Sequence, residues 1–287
     1  MIHQTFSLDT GNTSVTKKAT LTLYVLENYK EMNINRKRPM IVVCPGGGYR
    51  YCSPREAEVI AVRLNSFGYN AAVLNYNCAP ESAVFPESLK ELALAVAMVR
   101  EHAEEWHTDK DKIAVMGFSA GGHLAASLGV FWHEEWLEKE MGMKKECYEP
   151  NALILAYPVI TGTEMRHKGS FDNLLGVDSQ EERDKVSLEK HVTKNVPPVF
   201  LWSTWTDQSV PIESSLYFAS SLRKAGCSLE LHIFGEGTHG LSTADEEVTN
   251  SHHLVTMPNI GVWPELLRAW LRSLWGTGFY TEFGDYS

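Results

Sequence analysis

Long apolar runs, basic clusters and ordered cysteines are all scarce in this 287-residue sequence, and each scarcity excludes something. No stretch approaches the ~18 apolar residues that a bilayer-spanning helix requires, so no membrane partner is expected. Lysine and arginine total 26 against 36 acidic residues, a formal charge of −10, and the longest basic run is Arg36-Lys37-Arg38. That balance argues against nucleic acid or an anionic membrane as the main partner. Five cysteines, odd in number and scattered, form neither a disulfide framework nor a zinc pattern. Neither G-x-G-x-x-G nor a Walker lysine occurs, which argues against a phosphate-binding turn, and no cofactor is expected. The first residues lack a basic start followed by an apolar stretch. No secretory leader is therefore visible, and a reduced, cytoplasmic protein is the expectation. A homo-oligomer stays open.

What is present is an ordinary globular composition, 44% hydrophobic and 22% charged. Residues 19–26 alternate apolar and polar, the period of a half-exposed strand. Residues 40–44, 70–76, 113–116, 152–157, 198–202 and 229–234 are apolar strand candidates. Helical patterns separate them. Ser53, Pro54 and Glu56 read as a helix start with Glu56 in a capping box, and Gly68 as its stop. Leu89, Leu92, Ala93, Val96 and Val99 keep helical spacing after Pro86. Residues 210–225 and 264–275 read as the last two helices, ended by Gly226 and Gly276. Strands alternating with helices after an antiparallel start predict an open, mostly parallel sheet with helices on both faces, an α/β fold. Residues 161–195 are polar and irregular, with room for short helices, and read as a small lid-like insertion, too poor in apolar residues for a core of its own. A single domain over 1–287 is expected.

The chain is organised around Gly117-Phe118-Ser119-Ala120-Gly121, which follows the apolar run 113–116 and precedes small helix-compatible residues. Strand, G-x-S-x-G, helix is the context of a nucleophile elbow, with the serine in a sharp turn where neighbouring side chains would collide. A serine hydroxyl needs a histidine to accept its proton and an acid to orient that histidine. In such folds the order is serine, acid, histidine, each past the end of its own strand. Asp207 follows the 198–202 strand and His239 the 229–234 strand. Alone, Asp207 reads equally well as a cap for the helix near Pro211, and His239 as a surface histidine. Asp172 is an alternative acid but precedes its strand. His102, His107, His123, His252 and His253 are placed less well. Gly46-Gly47-Gly48 follows the 40–44 strand. The backbone N–H groups of Gly47, Gly48 and Ala120 are candidates for an oxyanion hole, at ~3 kcal/mol per donor.

Residues 75–81, Phe85-Pro86 and residues 111–126 together resemble the esterase/lipase branch of the α/β-hydrolases. Within it they are most similar to bacterial carbohydrate-esterase-like members, described as acetyl-xylan-esterase or sugar-hydrolase homologues. The resemblance covers residues 38–275. It implies an eight-stranded sheet with one antiparallel strand, a Ser119–Asp207–His239 triad and a metal-independent acyl-enzyme. Pro45 stands where hormone-sensitive-lipase-type members carry a histidine, which points away from that branch.

The expected partner is a small-molecule ester. Tyr49, Tyr76 and Trp205, with Tyr51 and Tyr157, fall next to strand ends and are candidates for stacking a sugar, though aromatics there equally suit core packing. The insertion lacks the long apolar stretch of a lipase lid, which favours short acyl groups. The expectation is a serine esterase for acetyl esters of small carbohydrates. The rivals are a peptidase or amidase of the same fold and a non-catalytic hydrolase-fold binding protein.

Overall fold

The computed structural model describes residues 1–15, 17–80, 85–249 and 256–276. The strands are β1 (Thr5–Ser7), β2 (Thr20–Tyr24), β3 (Arg38–Cys44), β4 (Asn70–Asn75), β5 (Thr108–Phe118), β6 (Ala152–Ala156), β7 (Val199–Thr204) and β8 (Leu229–Phe234). The helices are α1 (Glu58–Ser66), α2 (Glu87–Glu101), α3 (Ala120–Phe131), α4 (Glu135–Met141), α5 (Lys168–Leu175), α6 (Gln180–Lys185), α7 (Glu213–Ala225) and α8 (Trp263–Trp275).

The eight strands form one sheet in the order β1-β2-β4-β3-β5-β6-β7-β8. Only β2 runs against the rest, because it pairs antiparallel with both β1 and β4. The continuous apolar runs are explained by two-sided burial. In β3, Met40, Val42 and Cys44 join one apolar cluster, while Ile41 and Val43 join the other. Successive side chains of a strand point to opposite faces, so a strand covered on both faces must be apolar throughout. The first cluster includes Leu92, Val96 and Val99 of α2, Leu124 and Leu128 of α3, and Phe218 of α7. The second includes Ile60 and Leu64 of α1 and Leu267 and Leu271 of α8.

The chain passes from β3 outward to β4, then returns across β3 to β5. The sheet therefore switches direction between β3 and β5, which pair with Cys44 opposite Gly117. Loops at such a switch diverge to opposite faces and leave a crevice at the carboxyl ends of the strands. The glycine loop after β3 and Ser119 after β5 border this crevice.

Residues 161–195 contain α5 and α6. Phe171, Leu174, Val186 and Leu188 are buried in the same apolar cluster as α3. The few apolar residues of this segment thus serve to dock it onto the sheet domain. The C-terminal residues 277–287, Glu81 of the family-like motif, and His252 and His253 lie outside the described residues.

Candidate active site

Ser119 stands between β5 and α3 at φ 53°, ψ −117°, a conformation costly for a residue with a side chain. The turn is held from several sides. Its N–H donates to Ala156 O at 3.0 Å, and its carbonyl accepts from Val159 N at 3.0 Å and His123 N at 3.1 Å. The flanking glycines are a steric necessity. A Cβ on Gly117 would lie 2.0 Å from Gly121 O, and one on Gly121 would lie 2.1 Å from Cys44 O. The hydroxyl that results is at the N-terminal end of α3, where N–H groups favour negative charge.

The two residues expected beside Ser119 are there. His239 Nε2 lies 2.7 Å from Ser119 Oγ, and His239 Nδ1 lies 2.6 Å from Asp207 Oδ2. With Nδ1–H donating to the carboxylate, Nε2 is left to accept the serine proton. Asp207 Oδ1 accepts from the backbone N–H groups of Ser209 at 2.8 Å and Val210 at 2.9 Å. The capping and orienting roles weighed for Asp207 are thus met by its two different oxygens, but the cap closes a turn before Pro211 and α7 starts beyond it. The Asp207 side chain is 2% exposed and that of His239 20% exposed, so the pair is shielded on the acid side and open on the serine side.

Facing Ser119 is the glycine loop. Gly47 adopts φ 125° and Gly48 φ 65°, and a Cβ on Gly47 would meet Tyr51 O at 2.0 Å. The N–H groups of Gly47, Gly48 and Ala120 donate to no acceptor among the described residues.

One residue that holds this loop was misread from the sequence. Glu56 does not cap a helix. Residues Pro54–Glu56 form a 3-10 turn, and Ser53 makes no side-chain cap. The Glu56 carboxylate turns inward instead, accepting from Gly46 N at 2.8 Å and from the Tyr157 hydroxyl at 2.7 Å. The Tyr157 oxygen in turn accepts from Ser242 N at 2.9 Å, and its ring meets His239 edge-on at 5.0 Å. One carboxylate therefore ties the glycine loop to the segment that carries the histidine. Glu56→Gln should lower kcat by ~10- to 100-fold, a positioning effect, with KM within about two-fold. Steady-state kinetics check this, since a rise in KM at constant kcat would give Glu56 a ligand-holding role instead.

The aromatic candidates fare differently. Tyr49 and Tyr76 are buried and do not line the cleft that contains Ser119, which corrects the expectation that they face a ligand there; Tyr76 only borders an adjoining cavity. Their hydroxyls find partners inside: Tyr49 bonds His123 Nδ1 at 2.9 Å, and Tyr76 donates to Pro45 O at 2.7 Å. Both rings pack in the apolar cluster behind the glycine loop. Trp205 is exposed, and it is not among the residues lining the cleft that contains Ser119. Tyr51 is exposed and does line it. The cleft, about 310 Å³, is also lined by Arg50, Arg55, His167 and Asn173. His167 and Asn173 come from the 161–195 segment, and nothing local in the sequence marks them.

His123, on α3, is fully buried between Tyr49 and Val186, whose carbonyl accepts from Nε2–H at 2.8 Å. Burial pushes its pKa from 6.5 down to about 4. Between those values the unfolded chain binds a proton that the folded chain refuses. The associated stability is complete above pH 6.5 and is lost as pH falls toward 4. About 2 kcal/mol should disappear between pH 7 and pH 5 on this account. Urea unfolding at the two pH values measures it, and His123→Gln should flatten the difference by that amount.

Among the described residues, no group of His, Cys, Asp and Glu is arranged to hold a metal ion. No described helix is long and apolar enough to cross a membrane.

The BD-FAE family model matches residues 26–222. Among curated proteins, the chain is 36% identical over 218 residues to endo-1,4-beta-xylanase B of Butyrivibrio fibrisolvens, covering 75% of this chain and 34% of that protein. It is 30% identical over 209 residues to the acetylxylan esterase of Xylanibacter ruminicola, covering 70% of this chain and 40% of that protein. The chain thus spans well under half the length of these two relatives. Among solved structures, an acetyl ester-xyloside bifunctional hydrolase from Caldicellulosiruptor lactoaceticus superposes with TM-score 0.76 at 33% identity, over 94% of this chain and 92% of that one. A carboxylesterase from Lactobacillus plantarum gives TM-score 0.82 at 27% identity, over 98% and 100% of the two chains.

Proposed function

The chain belongs to the BD-FAE family, within the esterase branch of the α/β-hydrolases, and on that premise we propose that it is a serine esterase that removes acetyl groups from small carbohydrates. The observation that carries this reading is the continuous chain of hydrogen bonds Asp207–His239–Ser119, at 2.6 and 2.7 Å, opening into the cleft. Ser119 Oγ attacks the ester carbonyl and passes its proton to His239 Nε2. Asp207 holds the tautomer and stabilises the imidazolium that forms. The charge developing on the carbonyl oxygen meets the N–H groups of Gly47, Gly48 and Ala120. His239 then returns the proton to the departing alkoxide, leaving an acetyl-Ser119 that water hydrolyses by the same route.

Two features support a short acyl group and a sugar alcohol. The cleft is lined by polar side chains such as Arg50, Ser53, Arg55, His167 and Asn173, and no aliphatic side chain of the kind that would seat a long acyl chain is among its lining residues. The relatives also include an acetylxylan esterase and an acetyl ester-xyloside hydrolase. The described residues, built on one sheet, are read as one catalytic domain. Hydrolysis of nitrophenyl acetate, butyrate and octanoate tests the acyl side, with acetate expected to be the best of the three. Acetate release from acetylated xylo-oligosaccharides tests the alcohol side. A preference for octanoate, or no acetate from any acetylated sugar, would contradict the reading.

A further inference from the structure

The cleft around Ser119 carries charge that the acetyl-esterase reading leaves unused. Arg50 and Arg55 both line it. Neither forms an ion pair among the described residues. Glu56, the acid that lines the cleft, and Asp207, behind His239, are already engaged. The Glu56 oxygens take the Gly46 N–H and the Tyr157 hydroxyl, and those of Asp207 take two backbone N–H groups and His239. Arg50 and Tyr51 also border an adjoining cavity of about 270 Å³, which Lys17 lines as well. In a chain of net charge −10, two arginines without acidic partners thus line the cleft that holds Ser119.

We propose that the alcohol half of the natural ester carries a carboxylate, as in an acetylated uronic acid, and that Arg55 and Arg50 receive it. This rests on the esterase reading and names the class of sugar. A guanidinium presents a planar fork that matches a carboxylate in two parallel hydrogen bonds, and a cleft lined by one sign of charge concentrates ligands of the other. The side of the ester follows from position. His239 hands its proton to the leaving alkoxide, so the alcohol lies on the His239 side of Ser119. The Arg55 Nη2 atom is 3.6 Å from where a Cβ on Gly240 would stand, directly beside His239. Arg55 therefore reaches the leaving sugar and not the acyl methyl. Beside it, His167 supplies a neutral donor. Its Nδ1 accepts from Ser170 N at 3.2 Å and pairs with the Ser170 hydroxyl at 2.8 Å, which leaves the proton on Nε2. That suits a sugar hydroxyl, while the charge is left to the arginines.

The test compares acetate release from an O-acetylated uronic acid with that from the equivalent neutral O-acetylated sugar, using wild type, Arg55→Gln, Arg50→Gln and the double variant. The readout is the ratio of the two kcat/KM values, which cancels any general damage to the site. Wild type should favour the uronate by ~10-fold or more, as expected for a charged hydrogen-bonded pair. The ratio should fall toward one in the double variant, mainly through KM, and shrink as salt is raised. Equal rates on the two sugars in wild type, or a preference that survives the double variant, would overturn the proposal. Nitrophenyl hemisuccinate, with its carboxylate on the acyl side, is the third arm. If it is favoured over nitrophenyl butyrate while the uronate is not favoured, the placement on the alcohol is wrong. Failure of wild type to hydrolyse nitrophenyl acetate at all would instead sink the esterase reading beneath it.

Discussion

Ser119→Ala is expected to lower kcat for nitrophenyl acetate by ~10⁵-fold or more, with little change in the fold. The variant keeps the elbow. Alanine at φ 53° is no more strained than serine, and Gly117 and Gly121 still make the close approaches that define the turn. What disappears is the oxygen that His239 Nε2 contacts at 2.7 Å. His239→Ala should cost about as much, because an unactivated hydroxyl is a poor nucleophile near neutral pH. The two together should cost scarcely more than either alone, since residues that act as one unit are grossly non-additive. Thermal melts of all three variants within a few degrees of wild type would show that the loss is chemical. Substantial residual activity in Ser119→Ala would mean that the nucleophile is elsewhere.

Gly121→Ala should be as severe by a different route. The new Cβ would lie 2.1 Å from Cys44 O and 2.4 Å from Pro45 O, both backbone atoms at the end of β3. A flexible side chain could swing away from such a contact, but a carbonyl at the end of a buried strand cannot. Overpacking of this kind costs ~3 kcal/mol or more. The relief available is for α3 to move off β3, and that movement separates Ala120 and Ser119 from the Gly47 loop. A fall in kcat of ~100-fold or more should therefore accompany the drop in stability. Gly176→Ala is the contrasting case. Gly176 ends α5 at φ 68° with nothing within 4 Å of an added Cβ, so only the left-handed backbone is penalised, at about 1 kcal/mol. Denaturant midpoints and kcat for the two variants check the difference. Equal effects would show that close packing at Gly121 is not what matters.

The ease with which the site could be read from sequence differed by residue, for physical reasons. The elbow was legible because its constraint is local: the glycines at 117 and 121 are demanded by atoms a few residues or one strand away. Asp207 and His239 were legible because parallel sheets gather their sites at strand ends, and each sits just past its own strand. The same rule failed for Tyr49 and Tyr76. Nearness to a strand end does not fix which way a ring turns. His123 and the Pro45 carbonyl offered their hydroxyls partners inside the core. Glu56 followed the local pattern of a capping box, yet a buried N–H of Gly46 and the hydroxyl of Tyr157 claimed its carboxylate. Both partners are distant or non-helical in the chain, and only the folded loop brings them together. His167 and Asn173 had no legible signal, because the segment that carries them reaches the cleft through tertiary docking of Phe171 and Leu174. In the fold, the sheet and its one antiparallel strand followed from periodicity and from the family resemblance. Short helices were expected within 161–195, but the bounds of α5 and α6 were not legible, because tertiary packing, more than intrinsic pattern, stabilises helices of that length.

The most direct test of the account is where a fluorophosphonate attaches. This reagent phosphonylates only a serine that is activated by a base and placed against oxyanion donors. Peptide mass spectrometry of the labelled protein should find one adduct per chain, on Ser119, with hydrolysis of nitrophenyl acetate lost in proportion to labelling. An adduct on another residue, or full activity in protein whose Ser119 is completely labelled, would contradict it.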